Sequence, residues 1–402
     1  MTTTAVEFDP FSAEFFEDPS EVYRRLRDEA PVYFNERYGF YALSRFADVV
    51  AAHRDWHGFT STHGVDLSTL ARDPAVVRAF KMLITMDPPE HDRFRALVSR
   101  VFTPRAMAAL EPMIREVVRN FLDPLADRDA FDAVADFSAP FPVEIISRML
   151  GVPEGERQQI REWLDATLHR EPGDMDPTPA GQTAMIEMSG FFYELAIERR
   201  RRPVDDMLSR LTQVTVDHGD GVETGLDDEE IAGFASLIGG AGAETVTKLV
   251  GNAIVLFAAH PDQWQAVVAH PARIPGAVEE ILRLLPPAQY QGRYSAEDRG
   301  FEGGTIPAGY PVLLLTGAAT HDPRAFERAD DFDIDRPPSI AIGFGHGVHS
   351  CLGAALARME SRIAIEEIAA RWQRLDVDVA GLRRVHMANV AGYANVPVAT
   401  VR

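Results

Sequence analysis

"IAIGFGHGVHSCLGAALARMESR", residues 340 to 362, contains Cys351, the one cysteine among 402 residues. Gly345 and Gly347 precede it and Gly353 follows, so the backbone here can turn tightly and lie close to something flat or bulky. The next segment, "LGAALARMESRIAIEEIAARW" (352 to 372), repeats its apolar residues at helical spacing. Cys351 therefore stands at or just before a helix N-terminus. There the positive end of the macrodipole and the unpaired amide N–H groups favour thiolate, the form that binds metals or attacks electrophiles. Two chemistries fit: a metal ligand, or a nucleophile with His346 or His349 as base. The sequence shows no further partner for a nucleophile. Neither this loop nor "GGAGAE" (239 to 244) completes Gly-x-Gly-x-x-Gly, so a dinucleotide loop is set aside.

The rest of the chain narrows the class. Hydrophobic residues make up 46% and charged residues 25%, as in ordinary globular proteins. No repeat or Gly/Ser linker divides the sequence, and one domain over 1 to 402 is expected. A formal charge of -21, from 40 Lys and Arg against 61 Asp and Glu, repels nucleic acid and anionic lipid. One cysteine cannot close an intramolecular disulfide, and "MTTTAVEFDPFSAEFFEDPS" lacks the basic start and apolar run of a secretory signal. A cytoplasmic location is expected.

Helical spacing dominates at 19 to 30, 111 to 126, 184 to 202 and 275 to 285. Strand signals are fewer: a hairpin over 30 to 44, strands around a turn at 305 to 319, and a final stretch over 384 to 401. Two turn-rich segments, 57 to 74 and 169 to 183, are long enough to be binding or lid loops. The apolar run 231 to 260 is long enough to cross a bilayer, but Glu244 and Lys248 near its middle would cost about 3 kcal/mol each at a bilayer centre. A buried core helix is the better reading, and "LDDEEI" marks its start with Asp227 as N-cap and Glu230 three residues on.

"FGHGVHSCLG" (344 to 353) resembles the haem-binding signature of the cytochrome P450 monooxygenases, in which the cysteine thiolate is the axial ligand of haem iron. The resemblance implies a mainly α fold with small antiparallel β-sheets, with haem b between a long central helix and the cysteine loop. It makes Cys351 the metal ligand and places Phe344 and Gly353 at the cofactor. "EILR" (280 to 283) followed by "DFDIDRPP" (331 to 338) is similar to the family's buried charge network, which implies that Glu280, Arg283 and Arg336 hold the cysteine loop. "HDRFR" (91 to 95), "GRYSAED" (292 to 298) and His349 resemble the segments whose His91, Arg95, Arg293 and His349 would meet the haem propionates. "AGAET" (241 to 245) looks like the family's oxygen-binding kink in the long helix.

On that resemblance, O2 is a co-substrate. Thr245 is the hydroxyl facing it and Glu244, where many members have Asp, relays protons. Leu237, Ile238, Ala241, Ala288 and Gln289, with the 57 to 85 loop and the 160 to 190 region, would line a pocket for a hydrophobic substrate. A steroid, terpenoid, macrolide or other secondary metabolite fits such a pocket. Electrons are expected from a separate ferredoxin and ferredoxin reductase, with Arg93, Arg100, Arg105, Arg358 and Arg362 as a basic docking patch. No membrane anchor and a monomer are expected. The alternative is a haem-binding sensor of the same fold, which has no need for a proton relay.

Overall fold

The computed structural model describes residues 6–217 and 223–401. Its centre is the helix Asp228–Ala259, 32 residues long. Its N-terminus carries a full capping box, in which the Asp227 side chain accepts from the Glu230 N–H and Glu230 accepts from the Asp227 N–H. Most of its length is buried, as befits a helix that is apolar on nearly every face. Phe234, Val246, Val250, Ala253 and Phe257 pack in one core with Ile114, Val117 and Val118 of helix Glu111–Leu122 and with Phe137, Phe141 and Ile145. The expectation of a core helix is met, and its Glu244 and Lys248 find each other inside the protein.

The other helices fall where the apolar spacing puts them: Ser20–Glu29, Pro179–Arg201, Ile274–Leu284 and Ala354–Arg371. The sheets are small and antiparallel in all but one pairing. The largest has five strands in the order Val32–Asn35, Phe40–Leu43, Pro311–Leu314, Gln291–Ser295, Phe59–Thr60. Its first two strands form the expected hairpin, with Gly39 at φ 65° in the turn, a left-handed conformation that suits glycine. Phe40–Leu43 and Pro311–Leu314, far apart in the chain, run parallel. Strands Ala130–Asp132, Arg374–Val377 and Pro397–Val401 form a second sheet, and the last helix leads into it. The central helix and the cysteine loop thus face each other across a gap, with strand Gln291–Ser295 at its side.

Candidate active site

The loop before Cys351 is shaped by its glycines. Gly345 and Gly347 adopt φ 67° and 72°, values a side chain rarely takes, and a Cβ on Gly347 would collide with the His53 carbonyl. A Cβ on Gly343 would lie 2.7 Å from Leu282 Cγ, so helix Ile274–Leu284 directly braces the loop. The Cys351 N–H donates to the Phe344 carbonyl at 2.8 Å and closes the turn. Helix Ala354–Arg371 starts three residues after the sulfur. Cys351 is open on its cavity side and surrounded by protein elsewhere. Burial pushes its thiol up, while the Gly353 N–H, Arg95, Arg358 and the Ala354 N–H pull the other way. The Arg358 guanidinium also lies 4.5 Å from the centre of the Phe344 ring.

Four basic groups gather at the side of this gap. Arg95, from helix Glu90–Ser99, donates to the Ser350 carbonyl at 2.7 Å. Arg293 is 5% exposed and donates to the Gly292 carbonyl; burial pulls it down to about 10. The His349 ring, 4.5 Å from that of His91, is pushed down to about 2, first by burial and then by Arg293, His91 and Arg95. His91 is 1% exposed, with Nδ1 3.0 Å from Asp92 and Nε2 buried without a partner. Among the described residues, neither Arg95 nor Arg293 has a carboxylate within ion-pair distance. A buried Arg293 and a half-buried Arg95 without counter-ions, beside an orphaned imidazole nitrogen, favour an anion here. The two propionates of haem fit this donor set, and the sulfur fits its iron.

The opposite wall comes from the central helix. Leu237, Ile238, Ala241 and Thr245 face the cavity, as does Ala288. The helix stays α-helical through 241 to 245, with no interruption at the expected kink, and the Thr245 hydroxyl donates to the Ala241 carbonyl at 2.7 Å. Glu244, expected to relay protons beside Thr245, points about 100° away from it, and its carboxylate pairs with Lys248 Nζ at 2.6 Å, both side chains 5% exposed. One pocket expectation is corrected. Gln289 faces away from the cavity, accepting from Tyr23 Oη at 3.1 Å and donating to the Pro286 carbonyl at 2.7 Å. Pro287, Ala288 and Gln291 reach the cavity and Gln289 does not.

From the 57 to 85 loop, Leu83 and Ile84 contribute to the wall, whereas no residue of 160 to 190 does. That region packs on the outside of the central helix, with Leu164 against Gly240. The sequence reading missed Ile146, Phe234 and Glu360. Helical spacing marks Ile146 and Phe234 as buried but not as facing a cavity. Glu360 is a charged residue on a buried helix face, which was a signal. A cysteine hydrolase loses its base, because His346 Nε2 accepts from Arg54 and His349 Nε2 lies 3.2 Å from Ser61 Oγ.

The expected charge network is present. Glu280 binds Arg283 through two hydrogen bonds of 2.8 Å and accepts from Arg336 Nε at 3.0 Å. Arg283 also donates to the Thr320 and Ala329 carbonyls, and Arg336 to those of Glu327, Arg328 and Asp331. The basic patch is less free than expected: Arg93 pairs with Glu230, Arg358 with Glu279 and Arg362 with Glu111 and Glu366. Arg100 and Arg105 are exposed without such a pair among the described residues.

A helix-rich fold that aims one cysteine and an anion-seeking basic cluster into a shared gap defines a haem-thiolate protein. Residues 274–379 match the family model for cytochrome P450. The cytochrome P450 123 sequence of Mycobacterium tuberculosis is 42% identical over 391 residues, 97% of this chain and 96% of that one. Erythromycin C-12 hydroxylase of Saccharopolyspora erythraea is 37% identical over 93% of this chain and 92% of its own. The solved structure of CYP109E1 from Bacillus megaterium in complex with testosterone superposes with a TM-score of 0.86 at 30% identity, covering 97% of this chain and 99% of that one. The chain belongs to the cytochrome P450 family of monooxygenases.

Proposed function

We propose that this chain is a single-domain, monomeric cytoplasmic enzyme that hydroxylates or otherwise oxidises a hydrophobic small molecule. A steroid, terpenoid, macrolide or other secondary metabolite is the substrate class, and haem b is the cofactor. Electrons come from a separate ferredoxin and its reductase. The carrying observation is the composition of the gap: a sulfur on one wall, a buried Arg293 and a half-buried Arg95 at the side with no ion pair among the described residues, and an apolar wall of Leu237, Ile238, Ala241, Phe234 and Leu249 opposite. Family relatives act on a macrolide, as in erythromycin C-12 hydroxylase, or hold a steroid, as in the testosterone complex. Both classes suit such a wall.

Bound at Cys351, haem supplies thiolate-ligated iron, whose electron-rich character favours O–O cleavage in dioxygen. The residues do the rest. The N–H groups of Gly353 and Ala354 stabilise negative charge on the sulfur. Arg95, Arg293, His91 and His349 would hold the propionates. Phe344, stacked with Arg358, and Gly353 would border the cofactor. Ala241 and Gly242 are small and leave room in the cavity beside Thr245. Thr245 holds a hydroxyl at that room and orders the proton there. Glu244, tied to Lys248, serves it only from behind the helix. Glu280, Arg283 and Arg336 fix the strands and loops that carry the sulfur.

The test is the absorption spectrum of the reduced, carbon monoxide-bound protein. A thiolate-type Soret band is expected, and a colourless preparation that cannot be reconstituted with haem overturns the reading. Testosterone and erythromycin, added to the ferric protein, then report substrate class through the spectral shift each induces. A sensor of the same fold would give the Soret band but no oxidised product with ferredoxin, reductase and a shifting compound.

A further inference from the structure

Gln289, turned away from the haem gap, faces a second cavity of about 110 Å³. A single water needs roughly 10–15 Å³ on this measure, so a small organic molecule has room. Segment 284 to 289 divides the two spaces: Pro287 and Ala288 line the gap that holds Cys351, while Leu285, Pro286 and Gln289 line the second cavity. Its other walls include Tyr23 and Arg27 from helix Ser20–Glu29, Asn252 from the central helix, and Arg384 from strand Arg383–Arg384.

Three polar side chains in these walls are left wanting a partner. Arg27 is 4% exposed; its one side-chain hydrogen bond among the described residues runs from Nη1 to the Ala318 carbonyl at 2.8 Å, and it has no ion pair there. Burial pulls its guanidinium down, opposed by the more distant Asp330, Asp322 and Asp28. Arg384 is half-buried, 4.2 Å from the centre of the Tyr393 ring, and it also lacks an ion pair among the described residues. Asn252 is 2% exposed: its Nδ2 donates to the Leu285 carbonyl at 3.1 Å and its Oδ1 has no partner. The other charged groups of the cavity are engaged. His321 lies between Asp330 at 2.7 Å and the Leu284 carbonyl at 2.8 Å, and the exposed Asp18 accepts from the Ser20 N–H at 2.9 Å.

A buried cation without a counter-ion and a buried acceptor without a donor are each costly. One ligand relieves both when it carries a carboxylate for the arginines, whose planar fork matches that group, and an O–H for the asparagine. Phe16, Tyr23, Leu285 and Pro286 offer apolar surface to a short body between the two groups. We propose that this second cavity binds a small hydroxy acid, its carboxylate on Arg27 and Arg384 and its hydroxyl donating to Asn252 Oδ1. The site stands apart from the haem gap and does not rest on the monooxygenase reading.

The experiment is calorimetric titration of the haem-loaded full chain with 4-hydroxybenzoate and with the more compact 3-hydroxybutyrate, with the ferric Soret band followed in parallel. At least one of the two should bind with a Kd of about 5 mM or tighter and leave the Soret band in place, because it sits behind the wall formed by 284 to 289. The methyl ester, which lacks the charge, and benzoate or butyrate, which lack the hydroxyl, should each bind about tenfold more weakly. Arg27→Gln and Arg384→Ala should weaken the parent acid by a similar factor; should Arg27→Gln not fold, Arg384→Ala and the ligand analogues still decide. The proposal is overturned when neither acid binds at about 5 mM, which leaves the cavity to water. It is overturned equally when the ester or the acid without a hydroxyl binds as tightly as the parent, or when binding shifts the Soret band and is unchanged in Arg384→Ala, which assigns it to the haem gap.

Discussion

Thr245 shows how much one hydroxyl carries. Its side chain is the polar group that the central helix offers to the cavity, and it is held by the Ala241 carbonyl at 2.7 Å. Thr245→Ala should leave the carbon monoxide spectrum intact while consumed oxygen appears as peroxide instead of product. Unchanged coupling would argue against its assignment. Behind the same helix, Asp165 meets Glu244, and its carboxyl is raised to about 6, first by burial and then by that neighbour's charge. A raised carboxyl contributes stability below its unfolded value of 3.8 and loses it as pH rises through about 6. Asp165→Asn should therefore stabilise the protein by about 1–3 kcal/mol at pH 7.5, with no gain near pH 4. Urea unfolding at the two pH values checks this. At this scale, of the residues the sequence singled out, Cys351, Arg95, His349, Thr245, Ala241 and Ala288 line one cavity. The sequence reading misplaced Gln289, whose side chain is held by Tyr23 and the Pro286 carbonyl away from the cavity.

Helices and loops act here as props for one sulfur. Glu280 sits between two arginines at 2% exposure, so removing its charge leaves both guanidinium groups buried without a counter-ion. Glu280→Gln should cost about 3–5 kcal/mol in urea unfolding and release haem faster. Replacement by Gln with native stability would mean that the network's backbone hydrogen bonds alone suffice. The glycine loop should be as sensitive: Gly347→Ala meets both φ 72° and the His53 carbonyl, a strain of about 1–3 kcal/mol. The expected result is a weaker thiolate-type Soret band at equal protein concentration. Helix existence was readable from apolar spacing, because each helix buries one face and the period is local. Strand pairing was not, since the Phe40–Leu43 and Pro311–Leu314 partners are brought together only by the fold.

Across the whole molecule, a net charge of -21 works against an acidic electron donor unless a local patch offsets it. Of the arginines expected in such a patch, Arg100 and Arg105 remain exposed without an ion pair among the described residues. Arg100→Glu with Arg105→Glu should slow reduction by ferredoxin several-fold at low salt and less at high salt, measured by stopped flow. Equal rates at both salt concentrations would place the donor elsewhere. What the chain determined by itself was local in kind: the helix periods, the capped start of the central helix, and a cysteine among glycines ahead of a helix. These follow from backbone geometry and residue type within a few positions. Only the tertiary structure decided which carboxylate faces the cavity, which arginines keep a free charge and which strands pair. Each of these depends on groups far apart in sequence competing for the same buried space.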